Sequence, residues 1–147
     1  MAPPTGYSQQ YQSAAHTEKE LRIGQANDAL QSIRTSIARK AVVFRDELRP
    51  AKGKKRKARS WDHIHAVDVS VRHSARVYRQ ARSALLRLNP TTEETQRYKE
   101  LKNEDLNVNT ARMDSTLRNH RGKHLAWFWT MEVAGDTAHD EGMLECE

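Results

Sequence analysis

The stretch "LRPAKGKKRKARSW", residues 48–61, decides how this chain folds, because it separates two long apolar stripes. Upstream of it run Ile23, Ala26, Leu30, Ile33, Ile37, Ala41, Phe44 and Leu48. Downstream run Trp61, Ile64, Val67, Val71, Ala75, Tyr78, Ala81 or Arg82, Leu85 and Leu88. Steps of three and four residues put each series on one side of a helix. Pro50 ends the first helix, since the residue before a proline is pushed out of helical geometry. Ser60 is a good N-cap for the second helix, and Asp62 opposes the positive end of its dipole. Thr17 with Glu20 reads as a capping box starting the first helix. Asn89-Pro90 closes the second. These signals predict helices over 17–48 and 60–88, about 48 and 43 Å long at 1.5 Å per residue.

Two helices of matched length with one stripe each bury those stripes by folding back on each other. The expected fold is therefore all-α: a long antiparallel helical hairpin, coiled-coil-like, with the basic stretch as its turn. A pair alone leaves its stripes half covered, so a third element or a second chain is expected. Thr91 with Glu94 forms another capping-box pattern and predicts a short third helix over 91–106. The first 16 residues, rich in Pro, Gln, Ser and Tyr, read as a disordered tail, and 134–147 as a frayed acidic one. Between them the domain spans 17–133 and closes with an aromatic segment at 124–133. There Trp127, Phe128 and Trp129 either cap the open end of the hairpin or belong to an interface.

Charge is unevenly spread over the 147 residues. The net +6 comes from residues 49–59, which hold Arg49, Lys52, Lys54, Lys55, Arg56, Lys57 and Arg59 and no acid. Beyond Lys123 there are six acids and no Lys or Arg. The basic segment suits nuclear import or phosphate contact, and equally a solvated turn. Helix connections usually take 2–8 residues, so an 11-residue one invites a functional reason.

Other chemistry is sparse. No apolar run approaches the ~20 residues of a membrane-spanning helix. The start of the chain lacks the pattern of a secretory signal, and the lone Cys146 excludes an intrachain disulfide. The chain accordingly reads as soluble and intracellular. His63 and His65 point to opposite sides of a helix, and Gly122 separates His120 from His124, so no metal site is expected. No phosphate loop, nucleophile elbow or Cys/His pairing is present, so neither an enzyme nor a cofactor is expected.

Four pieces, in order, carry a resemblance: "EKELRIGQANDALQSIRTSI" at 18–37, the basic segment, "RQARSALLRLN" at 79–89 and "LAWFW" at 125–129. Together they resemble the C-terminal helical region of fungal KDZ (Kyakuja–Dileera–Zisupton) transposases over about residues 18–133. In that family this region follows an RNase H-like, metal-dependent catalytic core. No stretch of this chain corresponds to that core or to the family's cysteine clusters, so no catalytic carboxylate is carried over. The resemblance implies a non-catalytic fragment of a mobile-element protein, nuclear, with DNA association through the basic loop or subunit contact. The alternative is a helical-hairpin protein–protein interaction module without a nucleic-acid role, self-associating or binding another helical partner.

Overall fold

The computed structural model describes residues 5–106 and 126–131, with side chains from residue 10 onward. These residues form an all-α chain with no strand among them. Helix α1 spans Thr5–Val42 and continues directly as a π-helical segment, Val43–Leu48; α2 spans Lys54–Arg87 and α3 Thr92–Arg97. A single 3₁₀ turn follows at Trp127–Trp129.

The first helix begins twelve residues before the expected start, so the described part of the tail expected to be disordered, 5–16, is helical. After Gly6 the sequence runs Tyr, Ser, Gln, Ala, His, Thr, Glu and Lys with no proline, and the Gln, Ala, Glu and Lys among them sustain a helix once it is nucleated. Thr17 is therefore interior and caps nothing. Its hydroxyl donates to the Ser13 carbonyl one turn back, at 3.1 Å. Pro50 does end the first helix, after the chain has loosened into π geometry and the Arg49 amide has bonded the Phe44 carbonyl at 3.1 Å.

The basic stretch is mostly helix. Only Arg49–Gly53 turns, and α2 starts at Lys54, six residues before Ser60. Gly53 has φ of 93°, a conformation that costs glycine little, and its carbonyl accepts from Lys57 at 3.2 Å. Lys and Arg are good helix formers, so the run 54–59 propagates from this reversal. Ser60 is buried and donates to the Arg56 carbonyl instead of capping. A five-residue turn lies within the usual range, so the excess loop length expected from the sequence does not exist.

Contacts between α1 and α2 follow a consistent order. Ser32 Oγ lies 2.9 Å from Ser74 Oγ, Lys40 Nζ 2.6 Å from Asp68, and Glu47 2.7 Å from His63 Nδ1. Residue numbers rise on the first helix as they fall on the second. The buried seam comprises Ala26, Leu30, Ile33 and Ile37 against Val67, Val71, Ala75, Tyr78, Ala81 and Leu85. These residues belong to the stripes read from the sequence; Trp61, expected at the start of the second stripe, is 54% exposed instead, with its ring edge-on to Phe44 at 5.9 Å. Because His63 stands opposite Glu47, the first two turns of α2 run past the end of the π segment.

The third helix is correct at its start and much shorter than expected. Thr91 and Glu94 form the full capping box, each side chain bonding the other residue's backbone amide. The helix stops at Arg97 because burying Tyr98 and Leu101 requires the chain to turn toward the seam. Side chains of α2 replace the lost helical hydrogen bonds. Tyr78 donates to the Lys99 carbonyl (2.7 Å), Arg82 to Tyr98 (2.9 Å) and Arg79 to Leu101 (3.0 Å). The Tyr98 hydroxyl reaches Asn27 on α1 at 3.0 Å, and Lys19 pairs with Glu94 at 2.7 Å.

Candidate interaction surfaces

The helix pair has two flanks. On one, the residues Ile23, Asn27 and Arg34 of α1 face the segments 98–106 and 126–131. Here the aromatic triplet finds its place. Phe128 is fully buried in the core cluster, and Trp127 and Trp129 are half-buried around it. Rings pack in series, Tyr78 tilted against Trp127 and Trp127 edge-on to Phe128, each at 5.9 Å between centroids. The Arg34 guanidinium anchors this turn by donating to the carbonyls of Phe128 and Met131. The triplet thus covers the middle of the flank; α3 and Tyr98 sit nearer the open end, where the triplet was expected as a cap.

Across the seam, on the other flank, α1 and α2 leave a groove of about 770 Å³. Its floor is Ala29, Ser74 and Val77, and its edges include Leu21, Asp28 and His73. Leu21 is 68% exposed, although it is a large aliphatic residue. Glu18, Glu20 and Arg22 also line the groove, with Arg22 3.4 Å from Glu18 and His16 3.4 Å from Glu20, so its open end carries three carboxylates and one guanidinium. The same strip is cationic at the other end. Helical spacing places Arg39 in line with Leu21, Gln25, Asp28 and Ser32 on α1, and Lys55, Arg59 and one acid, Asp62, in line with Ala66, Ser70, His73 and Val77 on α2.

All the cations from Lys52 to Arg59 are exposed, as is Arg49. Four of them, Lys54, Lys55, Arg56 and Lys57, occupy the first turn of α2, which holds no acid. Positive charge at a helix N-terminus opposes the dipole, so these residues do not stabilise α2 where they stand. Arg56 and Arg59 share a small recess with Asp46, Glu47 and His63. Both acids there already have partners. Arg45 donates to Asp46 at 2.6 Å and holds its carboxyl below the usual range, and Glu47 bonds His63.

No group of three or more metal-binding side chains occurs among the described residues. His63 and His65 do not converge; His63 engages Glu47, and His65 is exposed on another side of α2. His120, His124, Cys146 and the acidic segment 134–147 lie outside the described residues. Among the described helices, none is long and apolar enough to cross a membrane. The most perturbed group, the Tyr78 phenol, is pushed up chiefly by burial and is occupied in bonding the Lys99 carbonyl, which is a packing role.

The groove was missed in the sequence because its residues fall between the apolar positions. Its available signal was the mix of acids, a small residue and one stray leucine beside the stripe: Glu18, Asp28, Ser32 and Leu21. Arg34 was also missed, since an arginine one residue from a core isoleucine looks like any solvated side chain.

No family model, no curated protein and no solved structure matches this chain. That result corrects the descriptions that hung on the transposase resemblance. Transposase-like, KDZ, mobile element, fungal and nuclear are all dropped, and what stands is an all-α chain.

Proposed function

We propose that this chain is an antiparallel helical hairpin, packed like a short coiled coil, that works as a protein–protein interaction module by pairing with a second copy of itself. The observation that carries this reading is the difference in charge between the two ends of the groove flank. Glu18, Glu20 and Asp28 outnumber Arg22 at the open end, and Arg39, Lys55 and Arg59 outnumber Asp62 at the turn end. A two-fold axis across the middle of the flank, near Ser36 and His73, lays the acidic end of each copy on the basic end of the other, twice. Exposed Leu21 and the small floor residues supply the apolar part of such a contact. Charge complementarity sets orientation and rate of association, while the apolar floor supplies most of the adhesion.

The reading also explains the uncompensated cations in the first turn of α2, whose dipole penalty is relieved by the partner's carboxylates. Sedimentation equilibrium tests it. The chain should be dimeric at ~0.05 M salt and shift toward monomer at ~0.5 M, where screening shortens to a few ångströms. Leu21→Asp should give a folded monomer at both. A wild-type chain that stays monomeric at low salt removes this function.

A further inference from the structure

Three arginines of α2, spaced i, i+4 and i+7, line a cleft on the side that faces the 98–106 segment. Arg72, Arg76 and Arg79 form its walls with Gln80, Ser83 and Asn103, around an open space of about 450 Å³. Ala75 and Leu106 give it an apolar patch. No carboxylate lines it. All three arginines are exposed, and like charges one turn apart still repel weakly, so an anion among them is favoured.

We propose that this cleft binds the phosphoryl group of a small molecule. Two of the arginines are already positioned. Arg79 donates to the Leu101 carbonyl at 3.0 Å and to Asn103 at 2.8 Å, and Arg72 Nε reaches the Asp68 carbonyl at 3.3 Å. Arg72 keeps its outer nitrogens for a ligand. Arg76 has no hydrogen-bond or ion-pair partner among the described residues. A planar guanidinium fork matches two phosphate oxygens at once, and a dianion answers the charge of this site better than a single carboxylate. Gln80, Ser83 and Asn103 add neutral polar groups at the rim. The volume lies in the ordinary range for small-molecule sites, and Ala75 and Leu106 offer a surface for the organic part of the ligand. Two nearby acids have other partners: Asp105 accepts from the Lys102 amide at 2.8 Å and Asp68 from Lys40 at 2.6 Å. The cleft is separate from the groove of the proposed dimer, so either can fail without the other.

The test follows the arginine Nε–Hε signals of the full chain by NMR, at constant ionic strength, during titration with inorganic phosphate, ribose 5-phosphate and ribose. Saturable shifts at Arg72 and Arg76 are expected with both phosphates and not with ribose. Equal affinity for the two would identify free phosphate as the ligand; tighter ribose 5-phosphate would identify an organic phosphate using the apolar patch. Arg76→Gln should weaken binding about tenfold, the loss of one charged hydrogen bond. Arg87→Gln, in the last turn of α2 and outside the cleft, should leave it within about twofold. Shifts that never saturate, or equal losses in both variants, would show diffuse charge attraction and overturn the site.

Discussion

The two flanks of the helix pair are built from the same two helices and end up in opposite conditions. On one, the chain returns twice to cover its own seam, with Tyr98 and Leu101 and then with Phe128. On the other, Leu21, Asp28 and Ser32 remain exposed beside a groove. The covered flank relies on aromatic burial and on α2 and α1 side chains that satisfy backbone carbonyls. The uncovered flank has small residues and a separation of charge. A flank designed to be closed by the same chain needs large apolar residues; one that meets a partner reversibly keeps a small floor and charged edges. On the proposed reading, the difference gives stability to one side of the molecule and recognition to the other.

Breaking the covered flank should have the largest effect. Phe128→Ala removes a fully buried ring from the centre of the closing turn and should cost about 3–5 kcal/mol in urea unfolding. Next comes Arg34→Ala, which leaves the Phe128 and Met131 carbonyls without their charged donor, at about 1.5–3 kcal/mol. Hydrogen exchange should then show 126–131 opening while the α1–α2 seam stays protected; exchange rising equally along α1 would mean that Arg34 holds more than this turn. Thr91→Ala removes half of a capping box and should cost about 1 kcal/mol.

A smaller effect sits at the open end and depends on pH. The hydrogen bond from Lys19, and after it those of Thr91, hold the Glu94 carboxyl below its usual range against the opposing pull of burial. Its folded-state pKa is thus lower than in the unfolded chain. The associated stability is complete above the ordinary carboxylate range and is lost as pH falls through the depressed value. Thermal melting of Glu94→Gln should accordingly lose part of the acid-side slope seen in the wild type, and an unchanged slope would contradict this linkage.

How much of this was legible in the sequence differs by element. The seam was, because burial along a long helix imposes a period that chance rarely sustains over nine positions. The capping box of α3 was legible for a similar reason, being wholly local. Other features depend on contacts distant in sequence. Arg97 ends α3 because Tyr98 must reach Asn27, 71 residues away. The charged run reads as loop, yet α2 starts at Lys54, because lysine and arginine propagate helix once Gly53 has turned the chain. The aromatic triplet announced its importance but not its location, which Arg34 sets from 94 residues away.

The central claim, that the uncovered flank pairs two copies in opposite directions, is tested most directly by exchanging its charges. One variant carries Glu18→Lys and Asp28→Lys, so that both ends of its flank are basic; the other carries Lys55→Glu and Arg59→Glu, so that both are acidic. All four positions are exposed or solvent-edge sites, where substitutions change monomer stability by only about 0.5 kcal/mol. Sedimentation at low salt should find each variant monomeric alone and the equimolar mixture dimeric. A mixture that remains monomeric, or a variant that dimerises alone as well as the wild type does, would contradict the account.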